Sequence, residues 1–199
     1  YIAEGFVFGT LFGERFLRSL DEMQDQLQRT GSEETIDMYT INSDGYVIPA
    51  GTDGTKYEKL LAQTDDDGNA LNQQIGDANP DFRLGFANNL TIGGFTIYAL
   101  VDWKQGGDIY NLTNQWMFRD NIGAEMDMYG VDDYKKKTYD YFQSIYNVAS
   151  PSSHFVEDGT YVKLRELSVY YTLNLNKKFL KYLRVGIIGR NLITWTNYT

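Results

Sequence analysis

The chain has 199 residues, with 16 Tyr, 11 Phe, 3 Trp, 19 Gly and no Cys, a mean hydropathy of −0.43 and a formal net charge of −9. Without cysteine there is no disulfide framework, thiolate metal site or thiol nucleophile, and no window approaches the roughly 18 consecutive apolar residues of a spanning helix. Ser19 to Asp81 carries 14 acidic against 3 basic residues and Gly106 to Asp158 carries 9 against 4, and the basic cluster Lys177, Lys178 and Lys181 is too small for a nucleic-acid-binding stripe.

The first stretch, Tyr1 to Phe16, has neither a basic n-region nor a small-residue cleavage site, so it does not read as a signal peptide. Within residues 5–16, Phe6, Phe8, Phe12 and Phe16 fall on one parity and Gly5, Gly9 and Gly13 on the other. A period of two predicts a strand with one bulky and one bare face. The same glycine spacing also fits a helix-dimer pattern, which is the less favoured reading.

Ser19 and Glu22 fit a capping box, and Leu20, Met23 and Leu27 continue at helical spacing to about Arg29. Residues 30–79 are polar, acidic and glycine-rich, with weak helical character at Tyr57 to Gln63. The Asp65, Asp66, Asp67, Gly68, Asn69 run resembles a calcium loop, but Gln63 and Gln74 stand where acids are expected, so a solvated acidic turn is the preferred reading.

Regular alternation returns at 82–92, with Phe82, Leu84, Phe86, Leu90 and Ile92 apolar. After Gly93-Gly94 it continues at 95–105 with Phe95, Ile97, Ala99, Val101 and Trp103, which predicts a tight hairpin. Residues 106–158 form a second long excursion, in which a helix beginning at Asp132-Asp133 would set Tyr134, Tyr141, Phe142, Ile145 and Tyr146 on one side; packing is the preferred reading of that stripe.

In 160–173 the apolar parity slips between Leu164 and Leu167, which predicts a β-bulge near Arg165-Glu166. The last strand, 183–195, sets Leu183, Val185, Ile187, Ile193 and Trp195 opposite Arg184, Arg190 and Thr194. It ends four residues before the chain does, which suggests a piece of something longer.

Five strands joined alternately by long (19–81, 106–158) and short (93–94, 174–182) connections place both long loops at one end of an antiparallel meander. Transmembrane barrels share that asymmetry. The predicted fold class is therefore all-β, a fragment of an antiparallel transmembrane barrel with two long, partly helical external loops. Trp103, Tyr161 and Trp195 fall at the long-loop side and Phe95, Tyr171 and Tyr182 at the tight-turn side, the pattern of two membrane-interface girdles.

Several ordered segments then resemble one family. They are Asn79-Pro80-Asp81-Phe82, Gly93-Gly94-Phe95, the run from Asp102 to Asn111, Asp158 to Leu167, Tyr171-Thr172-Leu173, Leu183-Arg184-Val185 and Gly189 to Thr196. Together they resemble the C-terminal barrel region of SusC/RagA-type TonB-dependent outer-membrane transporters. The resemblance implies about five strands of a 22-stranded plugged barrel in the bacterial outer membrane, with TonB acting through an N-terminal region outside this sequence and a SusD-like lipoprotein as lid. It implies energy-coupled import of a bulky nutrient, an oligosaccharide first and a peptide as the alternative, with a non-transporting adhesin or structural barrel as the other reading. Tyr110, Asn111, Asn114 and Trp116 are the candidate ligand contacts, because rings and amides suit sugars; loop packing is their bland reading.

No catalytic constellation, metal site or cofactor is expected. His154 is the single histidine, so a nucleophilic relay would depend on one residue in a polar loop, and a plain loop histidine is preferred.

Overall fold

The computed structural model describes residues 4–133, 136–146 and 151–198. They divide into two compact units, a sheet unit of residues 78–108 and 157–199 and a loop unit of residues 1–77 and 109–156.

The sheet unit is built on four long antiparallel strands, β5 (Pro80–Ile92), β6 (Phe95–Gly106), β9 (Tyr161–Asn174) and β10 (Tyr182–Thr196), in the order β10-β9-β6-β5. The expected hairpin is present: Ile92 pairs with Phe95 across Gly93-Gly94. Gly93 has φ +58°, and a Cβ on Gly94 would lie 2.7 Å from the Tyr171 ring, so a side chain fits poorly at either place. At 12 to 15 residues per strand, a rise of about 3.3 Å and a tilt of about 40° give a span on the order of 30 Å.

Register resolves the two faces. On one face Leu84 pairs with Trp103, Phe86 with Val101 and Leu90 with Ile97; Ile97 then meets Val169, and Val169 meets Ile187. These side chains remain open, Ile187 at 80% and Phe86 at 57%. The opposite face carries Arg83, Asp102, Lys104, Lys163, Glu166, Arg184 and Arg190.

The predicted bulge is found at Arg165, which β6 skips in passing from Leu100–Glu166 to Val101–Leu164. It widens outward, because β10 sets Asn191 and Leu192 against that one residue. Arg165 donates to Asp102 Oδ2 at 2.7 Å, and Asn191 takes a left-handed φ of 49°, so both extra residues are accommodated on the polar side.

The loop unit contains β1 (Thr10–Gly13), α1 (Leu20–Thr30), β2 (Tyr39–Ile41), β3 (Val47–Pro49), β4 (Gln73–Asp77), α2 (Leu112–Asp120) and α3 (Tyr139–Ile145). Two further short strands, β7 (Asp108–Tyr110) and β8 (Val156–Asp158), lie where the chain passes between the units.

Three extended segments organise the loop unit. Leu17 N donates to Leu61 O, Val47 N to Leu17 O and Leu61 N to Val47 O, at 2.8, 3.0 and 3.3 Å, a closed triangle of backbone bonds. Because alternate side chains of an extended chain point opposite ways, Phe16, Tyr46 and Leu60 enter one core with Phe118, Phe142 and Phe155. Their neighbours Leu17, Val47 and Leu61 enter or pack on a second core with Met23 and Leu27 of α1. Each fully buried ring stabilises this body by roughly 2–3 kcal/mol.

Three expectations differ here. The strand expected at 5–16 is confined to Thr10–Gly13 and pairs with β4 rather than joining the long sheet. The chain turns away because Glu14 bonds to the 151–153 segment, and the bare Gly13 α-carbon admits the Pro151 carbonyl where a Cβ would collide. The helical character at Tyr57 to Gln63 is absent, since Leu60 and Leu61 serve opposite cores and must be extended. The helix expected from Asp132 begins at Tyr139, capped by the Thr138 hydroxyl; Tyr134 lies outside the described residues. By contrast α1 forms as its capping signal requires, with Ser19 Oγ accepting from Glu22 N.

Candidate functional site

Two features of the molecule have the geometry of a working surface. The first is the pair of aromatic rows on the apolar sheet face. Trp103 and Trp195 flank Val162 in one cross-strand row near the ends of β6 and β9 that join the second excursion. Phe95 pairs with Tyr171 near the tight turns, their ring centroids 4.6 Å apart. The other two residues of the expected girdles stand elsewhere: Tyr161 and Tyr182 have the register of the polar face, where Tyr161 donates to Asp102 Oδ2 at 3.2 Å.

The second is a cavity of about 270 Å³ in the loop unit. Its near wall is the β2–β3 turn, shaped by Asn42, whose Oδ1 accepts from the backbone N–H groups of Asp44 and Tyr46 at 3.0 Å each. That turn points Asp44 at α3, where the Tyr141 hydroxyl donates to Asp44 Oδ2 at 2.5 Å. Burial, with the adjacent Asp44 charge adding to it, pushes the Tyr141 pKa well above the usual tyrosine range.

Tyr46 receives a hydrogen bond from Arg18 Nη2 at 2.9 Å, so its own hydrogen is free for His154 Nδ1, 2.8 Å away. The imidazole sits among the Phe118, Phe155 and Tyr46 rings, and burial, assisted by the Arg18 charge, brings its pKa down to about 4. It is therefore a neutral acceptor at neutral pH: a histidine of the long loop, as expected, but packed among rings.

In the cavity wall Lys137, its ammonium 4.9 Å from the Tyr141 ring centroid, reaches Glu58 Oε1 at 2.6 Å and Asp53 Oδ1 at 2.9 Å. Burial works against the Lys137 charge, but the bonds and charges of Glu58 and Asp53 outweigh it and hold the ammonium above its ordinary pKa. Among the described residues no cluster of three or more acidic or histidine side chains is arranged to hold a metal ion. Asp65 instead closes an acidic turn on itself, accepting from the backbone of Asp67 and Asn69.

No family model matches the chain. TonB-dependent receptor P3 of Formosa agariphila is 31% identical over 146 residues, which are 70% of this chain and 15% of that receptor. The chain is related to TonB-dependent receptors. It spans about 15% of the length of the curated relative it matches. A solved structure titled as the RagAB peptide importer in the closed-closed state resembles it in fold, with a TM-score of 0.50 and 20% identity over 70% of this chain and 18% of that one. The two-faced sheet is thus a β-rich fold of the TonB-dependent receptor kind.

Within this relative of TonB-dependent receptors, the four expected contact residues divide between support and exposure. Asn111 caps α2, its Oδ1 accepting from Asn114 N at 2.9 Å. Tyr110 is half-buried against Phe155 and accepts from Ser152 N at 3.3 Å. Asn114 donates to Glu125 Oε1 at 3.3 Å, which ties it to the cavity rim. Trp116 alone of the four presents an open ring, 52% exposed with Arg119 5.4 Å from its centroid. The cavity itself was missed: the Asn42 to Tyr46 turn lay in a stretch expected as loop, Glu58 in the stretch of weak helical character and Lys137 in the helix expected from Asp132, and no local pattern links residues so far apart.

Proposed function

We propose that this chain is part of an outer-membrane, TonB-dependent importer of a bulky nutrient. The observation that carries the reading is the 31% identity to a TonB-dependent receptor over 70% of the chain. The sheet supports it physically. One face keeps apolar side chains open along the full strand length with aromatic residues in rows toward both ends, as a wall in lipid requires, and the other face is charged. In this reading residues 1–199 are one stretch of a barrel of the 22-stranded kind, and the loop unit faces outward as the ligand-side body. A SusD-like lipoprotein covers it, and TonB acts through the plug region.

A peptide is the better-supported cargo, displacing the oligosaccharide. The support is the likeness in fold to a protein described as a peptide importer, together with the engagement of Asn111, Asn114 and Tyr110 inside the protein, which removes amides and a ring that a sugar would need. Trp116 remains the contact candidate. The test is uptake in cells with and without the intact protein, using fluorescent peptide and oligosaccharide pools of matched size. Loss of peptide uptake alone supports the reading, and loss of oligosaccharide uptake alone restores the first cargo. Unchanged uptake of both overturns import and leaves surface display.

A further inference from the structure

The loop-unit cavity joins an apolar floor to an acidic mouth. Phe118, Tyr141 and Ile145 are 0%, 2% and 1% exposed, and Phe142 stands beside them. At the mouth Asp44 and Glu125 are both exposed to water. Their fields reach inward, since each adds to the upward push that burial exerts on the Tyr46 hydroxyl.

Among the described residues, the cations at this site are already engaged. Lys137, in the cavity wall and 4.9 Å from the Tyr141 ring centroid, is held by Glu58 and Asp53, and Arg18 by the Tyr46 hydroxyl with its guanidinium 4.3 Å from the Tyr46 ring centroid, so the Phe118 and Phe142 rings are the ones without a cation. Set against these two cations are four acids, Asp44, Glu125, Glu58 and Asp53, so two negative charges stay uncompensated among these side chains, while His154 is neutral.

We propose that this cavity binds an organic cation: a protonated amine on a short alkyl or aryl body, with the ammonium between Asp44 and Glu125 and the body on the Phe118, Tyr141 and Phe142 floor. Aromatic faces attract ammonium groups through their quadrupole, and carboxylates supply the charge-assisted hydrogen bonds. A neutral sugar leaves both carboxylates without a counter-charge, and an anion is repelled. A hard metal ion asks for a shell of oxygen ligands that a ring-lined floor does not supply. The volume of about 270 Å³ lies just under the range of drug-sized sites, which suits a body the size of a phenethyl group or an aminoalkyl chain. The inference does not depend on what the protein imports.

The test is titration calorimetry of the intact protein in detergent at neutral pH with phenethylammonium, against 2-phenylethanol and 3-phenylpropionate as neutral and anionic probes of the same shape. Saturable binding of the ammonium is expected, with the alcohol about tenfold weaker or more and the carboxylate without measurable binding. Asp44→Asn and Glu125→Gln should each weaken the ammonium by about fivefold or more, and Asp66→Asn, at an exposed ion pair elsewhere in the unit, should leave it unchanged. Glu125 is exposed, so its variant keeps the fold even if Asp44→Asn loosens the Tyr141 contact. Equal binding of alcohol and ammonium, wild-type affinity in Glu125→Gln, or no saturation by about 10 mM ammonium overturns the proposal.

Discussion

Replacing Lys137 by methionine tests whether the loop unit is held by its buried ion pair. The Lys137 side chain is 6% exposed and the Glu58 side chain 0%, and Glu58 also accepts from Asn42 Nδ2 at 2.9 Å and Gly54 N at 2.8 Å. Methionine keeps the length and apolar stem but strands the carboxylate. Removing one partner of a buried pair costs about 3–5 kcal/mol. The lower end applies, because two neutral donors still satisfy Glu58, and the half-exposed Asp53 adds less than about 1 kcal/mol. A loss of about 3 kcal/mol raises the population of the opened unit on the order of 100-fold. Amide exchange of the intact protein in detergent should show it in peptides covering residues 42–47 and 141–145. Lys136→Met, at the exposed pair with Asp133, should change exchange by less than about threefold. Glu58→Gln added to Lys137→Met should recover part of the loss, since the amide oxygen still accepts and no charge is left buried. If Lys137→Met exchanges no faster than Lys136→Met, the buried pair is not what holds the unit closed.

Three other outcomes follow from the same structure. His154 has a pKa of about 4 in the fold against roughly 6.5 unfolded, so in that window the unfolded chain takes up the proton first. Stability of the loop unit should be complete above the upper value and decline as pH falls toward the lower one, by at most on the order of 3 kcal/mol. Thermal melts against pH should show this slope, and His154→Gln should abolish it; an identical slope in the variant assigns it to other groups. On the sheet, Ile187→Arg places a charge on the apolar face and should cost about 2–4 kcal/mol in lipid, blocking assembly seen as heat-modifiable gel mobility, while the neighbouring Ile188→Arg on the polar face should assemble. Equal assembly of the two would remove the assignment of faces. Trp116→Ala should lower cargo uptake by about tenfold if the open ring is a contact, and unchanged uptake would withdraw it from that role.

The long strands were legible because their side chains obey a period of two that no local interaction disturbs. Gly93-Gly94 marks the turn, and the change of parity between Leu164 and Leu167 marks the bulge. The loop unit was far less legible. Leu60 and Leu61 are adjacent leucines that look helical in sequence but serve two cores, and α2 buries Gln115 and Phe118 without a clear apolar stripe. The pairing of Glu58 with Lys137, 79 residues apart, leaves no trace in either neighbourhood. His154 and Tyr46, 108 residues apart, present the same difficulty. Of the candidate contacts, Asn111 could have been identified as a helix cap from its place ahead of Leu112, which is the signal that separates support from exposure.

The triangle at Leu17, Val47 and Leu61 carries a mechanical consequence. None of its three bonds is local: each ties segments that are 14 or more residues apart, and each segment donates once and accepts once. Pulling any one segment away breaks two of the three bonds and uncovers side chains on both faces at once. The two cores therefore open together or remain shut together. A pull on the first segment, which leads directly from Gly13 and Glu14, would be felt as far as the rings beneath His154. A body of this kind transmits force as a rigid block, and gives way in one step rather than fraying.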